Sequence, residues 1–299
     1  MADALGWLAA QLLQGFVNLY TALSNPMAWL NWVNDPKSLI RFIYYGASKE
    51  FLFVVIDLFL IITVVGLLYR PFLWGVVRII EGFSNAIGRF FAWAGLIMVL
   101  QQVMIVFLQR IFRVSEISVG PFGIVFTKDL SWFGEELKLY NAMIVALVAA
   151  YTFVQGGHVR VDLVYARVGF RVKRIIDMFG SLLFIMPSMF LIWMFGWFFM
   201  WRSFVTPKFP ASATLESMLR KAPFLKQNIE LIGFSPNGFN GYFLFKMLLV
   251  SFALMMIIQG AGFFYRSLLE LIEGKGAEGK YLDLDKLNDE TAEIAAAIH

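Results

Sequence analysis

The amino-acid sequence predicts an all-α fold, that of a polytopic helical membrane protein. Only 15% of the 299 residues are charged and 60% are hydrophobic, whereas a soluble domain carries about 25% charged residues. Several uncharged stretches reach about 20 residues, the length with which a helix crosses the hydrocarbon core. Barrel strands would alternate over shorter segments. We expect four core transmembrane helices, one or two extra N-terminal membrane helices and interfacial amphipathic helices.

The four core spans are predicted from the longest apolar stretches. The longest of these, Met178 to Trp201, contains no charged residue. Together the spans and the connections between them form a predicted core at residues 87–266, which includes a long loop at 202–240. The core spans lie at about residues 90–109, 139–157, 178–201 and 245–265.

Residues 1–86 form an N-terminal extension with a fifth probable span at 51–69. This span contains Asp57, and an ionisable residue at membrane depth is a functional candidate by default. Because Asp57 follows the start of the span by only a few residues, we favour a position near one interface. There its carboxylate would pair with an arginine or form a hydrogen bond across helices.

The segment at residues 4–23 allows two interpretations. It is uncharged and apolar, but polar residues recur at spacings of three and four, which places a narrow polar stripe on one helix face. The segment either spans the bilayer with the stripe facing other helices, or lies flat in the interface. The stripe consists of Gln11, Gln14, Asn18 and Thr21.

The charges are distributed unevenly between the apolar body and the C-terminal tail. From Arg266 onward there are four basic and eight acidic residues, a net charge of −4, and the rest of the chain carries +8. We expect residues 267–299 to form an acidic cytoplasmic tail, with the basic loop at 160–174 on the same side of the membrane. This pattern does not suggest a nucleic-acid partner.

The scarcity of cysteine and histidine excludes several kinds of site. The chain has no cysteine and two histidines, so disulfides, cysteine-ligated zinc and iron–sulfur clusters are excluded. A haem bound by two histidines of this chain is not expected, because one of the two, His299, is the last residue. We expect no cofactor, no metal and no catalytic residue.

The most informative motif begins as W-F-G-E-E and continues, after an apolar helix, as G-G-H-V-R-V-D. It resembles the small membrane subunit (DctQ-like) of tripartite ATP-independent periplasmic (TRAP) transporters over roughly residues 90–266. The chain looks like an enlarged variant, because it adds about 85 N-terminal residues and the 202–240 loop. The motif residues, expected to be structural or to lie at a subunit interface, are Trp132, Glu135, Glu136, Gly156, Gly157, His158, Arg160 and Asp162.

The resemblance implies a non-catalytic scaffold rather than an enzyme. In this family a large membrane subunit holds the substrate and sodium sites, and a periplasmic binding protein captures the substrate, often a carboxylate or sulfonate. The small subunit supports the large one. The expected partners are therefore these two proteins and membrane lipids, and the expected location is the bacterial inner membrane.

Individual residues of the motif favour structural roles. Glu135 and Glu136 are adjacent, and adjacent side chains on a helix point about 100° apart, so they are not expected to act as paired acid and base. We expect them at an interfacial helix start, where acids favour the positive end of the dipole. His158 beside two glycines favours a hydrogen-bonding role in the turn, with backbone or Asp162 as its partner.

Two basic groups are candidates for contacts outside the chain. The cluster at 160–174 is expected to determine topology and to contact anionic lipids or the large subunit; it contains Arg167, Arg171, Lys173 and Arg174. The 202–240 loop carries Arg220, Lys221 and Lys226, which we interpret as a docking surface for the binding protein.

Two alternatives remain open at the level of sequence. The first is a membrane anchor of a respiratory complex, for which the histidine count argues against haem but not against quinone. The second is a small carrier that works alone, which would need a midplane site built from broken helices. The predicted spans contain little interior proline or charge, which favours a supporting bundle.

Overall fold

The computed structural model describes residues 2–119, 126–156, 168–233, 235–236 and 238–285. The N-terminal part begins with three helices and continues into two long ones. These are α1 (Ala2–Ser24), α2 (Met27–Leu30), α3 (Pro36–Tyr45), α4 (Lys49–Leu68) and α5 (Arg70–Val106), the last prolonged by a π-helical turn (Phe107–Ile111).

The remainder alternates long helices with short strands. An antiparallel hairpin of β1 (Glu116–Val119) and β2 (Phe126–Asp129) leads into α6 (Leu130–Val154). A continuous helix then combines α7 (Phe170–Gly180), a π-helical turn (Ser181–Ile185) and α8 (Met186–Trp201). The last elements are β3 (Val205–Thr206), α9 (Leu215–Arg220), β4 (Lys226–Gln227), which pairs with β3, and α10 (Tyr242–Glu273).

The predicted fold class is confirmed. Within the described residues, five helices are long and apolar enough to cross a membrane. They are α4, α5, α6, the continuous helix of α7 and α8, and α10, and the predicted spans fall on them. The first helix, α1, is not among the five.

Local capping explains where the N-terminal helices begin. The Asp35 side chain accepts a hydrogen bond from the Lys37 amide at 3.0 Å, and Pro36 occupies the first turn of α3. The Ser48 hydroxyl accepts from the Phe51 amide at 3.3 Å at the start of α4. Such side chains satisfy amides that have no partner within the helix.

The helix α5 differs from the expected short amphipathic helix followed by a span. With its π-helical turn it is continuous over Arg70–Ile111, 42 residues, or about 63 Å at 1.5 Å per residue. This is twice the hydrocarbon thickness of about 30 Å. Two of the charges in its first half are compensated by distant residues: Glu81 pairs with Arg266, and Arg89 pairs with the tail. The helix therefore continues through a polar segment.

Close helix contacts occur where glycines face a neighbouring helix. A Cβ at Gly88 of α5 would lie 2.1 Å from the Tyr151 Cβ of α6, and one at Gly262 of α10 would lie 2.7 Å from Ile80. Small residues at such positions let backbones approach within a membrane bundle. The central helix of the bundle is α10, which packs against α5, α6, α7 and α8.

The first helix covers Asp57. Trp7 of α1 meets Phe53 of α4 edge to face at 5.8 Å between ring centroids, and Gly15 lies directly over the Asp57 carboxylate. Asp57 is fully buried, and neither carboxylate oxygen has a hydrogen-bond partner among the described residues. The expected arginine or cross-helix partner of Asp57 is therefore not found there, because a glycine faces the carboxylate.

The two segments that enlarge the chain pack on each other at one end of the bundle. We call this unit the cap; it comprises α2, α3 and residues 205–225. Its position is fixed by α8, because Trp193 Nε1 donates to the Gly46 carbonyl at 2.8 Å and Trp197 Nε1 to the Ile43 carbonyl at 2.9 Å. The cap encloses its own apolar core of Leu39, Ile40, Ile43, Val205, Phe209, Met218 and Ala222.

Candidate subunit-interface site

The motif segment begins at the start of α6, where Trp132 and Glu135 hold the turn that precedes α10. The Trp132 ring meets the Phe239 ring edge to face at 5.2 Å. The Glu135 Oε2 accepts a hydrogen bond from the Phe239 amide at 2.9 Å. A Cβ at Gly238 would displace the Glu135 carboxylate from this contact.

The neighbouring Glu136 is turned toward α5. Its Oε2 accepts from Gln101 Nε2 at 3.1 Å and its Oε1 from the Tyr140 hydroxyl at 3.0 Å, and Gln101 also donates to the Phe133 carbonyl at 3.2 Å. Glu135 and Glu136 therefore have separate partners on separate elements. Chemically, they join helices rather than form an acid and base pair.

A polar cavity of about 290 Å³ lies beside the Glu135 contact. The strands β1 and β2 form one wall through Glu116 and Asp129, and Pro236 and Asn240 contribute to the other. Glu116 and Asp129 are directly opposite each other in the register of the hairpin. No group of three metal-binding side chains is found in the described part of the chain.

The other end of α6 terminates in a left-handed turn. Gly156 has φ +73°, a conformation that glycine adopts without steric cost. The preceding Gln155 donates to the Asp283 carbonyl at 3.0 Å and accepts from the Asp285 amide at 3.0 Å. The remaining motif residues, Gly157, His158, Arg160 and Asp162, lie outside the described residues, as does Arg167 of the basic cluster.

The tail returns along the bundle to this end of α6. We call residues 274–285 the strap. Arg89 pairs with Asp283 at 3.0 Å and with Asp285 at 2.5 Å, and the Tyr151 hydroxyl donates to Asp285. The hydrogen bond from Arg89 lowers the pKa of the Asp283 carboxyl, and those from Tyr151 and Arg89 lower the pKa of the Asp285 carboxyl.

Beneath the strap lies a cluster of buried ion pairs. Arg266 is 7% exposed and contacts both oxygens of Glu81, which is 4% exposed, at 2.5 Å. Arg174 pairs with Glu270 at 2.7 Å and with the strap residue Glu278 at 3.0 Å. Sequence reasoning missed this cluster, although charges within long apolar stretches were a signal for it.

The basic cluster at residues 160–174 is divided in the structure. Arg174 is mostly buried among carboxylates of its own chain, so it serves packing within the bundle rather than lipid contact. Arg171 is exposed and Lys173 is half-buried.

The three basic residues of the long loop are exposed: Arg220 and Lys221 on the cap, and Lys226 in β4 directly after it. Arg220 pairs with Glu216 of its own helix at 3.4 Å. Close to them the Phe224 side chain is 74% exposed. The cap therefore offers a basic surface with an apolar centre.

The loop is fixed to α10 beneath this surface by a polar cluster. Lys208 bonds to Glu230, and Lys246 of α10 donates to the Ser203 hydroxyl at 2.6 Å. The hydrogen bond from Lys208 lowers the pKa of the Glu230 carboxyl. The cluster joins the base of the loop to α10.

Comparison with known proteins identifies the region that contains the motif. Residues 123–220, from β2 to α9, match the model of the family described as tripartite ATP-independent periplasmic transporters, DctQ component. No curated protein and no solved structure matches the chain. The N-terminal helices α1 to α5 lie outside the matched segment. Residues 123–220 are thus similar to the DctQ component, the small membrane component of TRAP transporters, and the chain extends beyond the matched segment on both sides.

Proposed function

We propose that this chain is the scaffold subunit of a sodium-coupled, binding-protein-dependent transporter that imports an organic acid, a carboxylate or a sulfonate. In this proposal it supports the large membrane subunit in the bacterial inner membrane and carries out no chemistry itself. The observation that carries the proposal is the DctQ match over residues 123–220.

The ion pairs and hydrogen bonds within the chain favour the role of a scaffold subunit. The buried charges at the strap end are matched with one another: Arg266 with Glu81, and Arg174 with Glu270. The carboxylates of the motif, Glu135 and Glu136, are engaged with their own chain. Contacts of this kind hold the helices in a fixed arrangement, which suits a subunit against which another subunit moves.

The proposal is tested by purifying the tagged chain from its native membrane in mild detergent and identifying what accompanies it by mass spectrometry. We expect a stoichiometric large membrane subunit of about twelve spans. Reconstituted with that subunit, the binding protein and a sodium gradient, it should support uptake of the organic acid. If the chain purifies alone or with redox subunits, the proposal is contradicted. The alternatives, a small carrier that works alone or a membrane anchor of a respiratory complex, would then be favoured.

We further propose that the basic surface of the cap docks the periplasmic binding protein. The double substitution Arg220→Glu and Lys221→Glu should reduce uptake at low binding-protein concentration, because charge complementarity governs the association rate. The effect should shrink as salt rises, and saturating binding protein should restore the rate. Initial uptake rates in proteoliposomes measure this.

The matched control places a charge reversal at the other end of the bundle. Lys275 is an exposed residue of the strap, and Lys275→Glu should leave uptake unchanged at every binding-protein concentration. Equal losses from the cap and the control substitutions would mean that net charge, rather than the cap surface, governs the rate.

A further inference from the structure

The first turns of α5 have two apolar faces, of which only one is covered. Leu73, Trp74 and Val77 are buried against α10. On the outer side Ile79 is 73% exposed, and Phe72 is also exposed. A helix segment with an outward apolar face and flanking arginines is typical of the membrane interface. This segment is therefore placed at the level of lipid headgroups.

Two cationic side chains meet at one aromatic ring beside this segment. The guanidinium carbon of Arg78 lies 5.2 Å from the centroid of the Tyr281 ring, and the Lys280 ammonium lies 5.2 Å from the same centroid. Lys280 also lies 5.5 Å from the Trp74 ring. The strap thus brings Lys280 and Tyr281 to the arginine of α5.

The carboxylates near these cations do not balance them. Glu273 lies 3.7 Å from Lys280 and also accepts a hydrogen bond from Trp74 Nε1 at 2.9 Å. Among the described residues Arg78 has an aromatic contact but no carboxylate within ion-pair distance, whereas Arg89 and Arg266 each have one at 2.5 Å. An exposed positive charge therefore remains beside the exposed apolar side of the helix.

The backbone of the strap fixes the aromatic ring in this place. Tyr281 has φ +59°, which is uncommon for a residue with a side chain. Asp283, two residues further along the chain, is held by Arg89 and Asn85. The strained residue is thus kept in position by contacts on its C-terminal side.

We propose that Arg78, Lys280 and Tyr281 form a binding site for the phosphate group of an anionic phospholipid. The phosphate contacts the two cations and accepts a hydrogen bond from the Tyr281 hydroxyl, and the acyl chains run along the apolar surface that includes Ile79 and Leu68, which is 84% exposed. Arginine and lysine at the membrane surface each contribute about 1 kcal/mol to binding anionic lipid. None of its three residues belongs to the basic cluster at 160–174.

The test measures the thermal unfolding of the full chain in detergent with added phosphatidylglycerol, phosphatidylcholine or inorganic phosphate. Phosphatidylglycerol should raise the unfolding temperature, and phosphatidylcholine should not. Inorganic phosphate at millimolar concentration should give little protection, because it gains nothing from the apolar surface. Equal protection by both lipids would overturn the proposal, and full protection by inorganic phosphate would overturn its lipid part.

Substitutions separate the site from general surface charge. Arg78→Gln should weaken the apparent affinity for phosphatidylglycerol about fivefold, and Arg78→Gln with Lys280→Gln about 25-fold, as the per-residue contribution implies. The control is Arg70→Gln, which removes the same charge from an exposed position of the same helix and should leave the affinity unchanged. An equal loss from Arg70→Gln would show that surface potential alone attracts the lipid.

Discussion

Replacing Arg266 with methionine should destabilise the chain by about 3–5 kcal/mol, the cost of removing one partner of a buried ion pair. The substitution leaves the Glu81 carboxylate buried without its cation. It also removes the 3.0 Å hydrogen bond to the Lys280 carbonyl and the 3.6 Å contact with Glu270. The strap should therefore detach, which limited proteolysis would detect as cleavage in residues 274–285 together with a lower unfolding temperature.

A double substitution provides the control for this prediction. Arg266→Met combined with Glu81→Leu removes both charges, and replacing both members of a buried pair by apolar side chains is often neutral or stabilising. The double variant should recover most of the stability that Arg266→Met loses. If it is as unstable as the single variant, the contacts of Arg266 with the strap, rather than the uncompensated carboxylate, determine the loss.

Gly88→Ala should separate α5 from α6. The added Cβ would lie 2.1 Å from the Tyr151 Cβ, and the two atoms are fixed by their backbones, so no rotamer change relieves the contact. Overpacking of this kind costs about 1–3 kcal/mol and sometimes more. The expected result is a lower unfolding temperature and weaker recovery of the large subunit in the purification described above.

The matched control is Gly82→Ala on the same helix. No atom lies within 4 Å of a Cβ at Gly82, and alanine is favoured over glycine within a helix by about 1 kcal/mol. Gly82→Ala should therefore keep or slightly raise the unfolding temperature. A comparable loss in both variants would mean that the glycines act through helix flexibility rather than through the contact with Tyr151.

The helical class and the places of the long helices were predictable from the sequence because hydrophobic length is a local property. The uncharged run from Met178 to Trp201 needs no knowledge of the rest of the chain. The continuity of α5 was not predictable in this way. Its Glu81 and Arg89 indicate a surface helix when taken alone, and their partners lie about 190 residues further along the chain.

In the candidate site, too, some residues were predictable from the local sequence and their partners were not. The motif residues Trp132 and Glu135 could be singled out from their pattern, whereas their partner Phe239 lies in a loop more than 100 residues away. The strap belongs to the segment that we expected to form an acidic cytoplasmic tail. The sequence did not predict that its aspartates Asp283 and Asp285 contact Arg89. The local sequence around a charged residue contains no information about which distant residue will pair with it.

The cap has a consequence for the evolutionary history of the chain. Its core takes Leu39, Ile40 and Ile43 from the N-terminal extension and Val205 and Met218 from the loop between α8 and α10. In an ancestor that acquired only one of these insertions, the apolar side chains of that insertion would have been exposed to solvent, which favours aggregation. The two insertions are therefore expected to have been gained together. Related proteins should then contain either both insertions or neither.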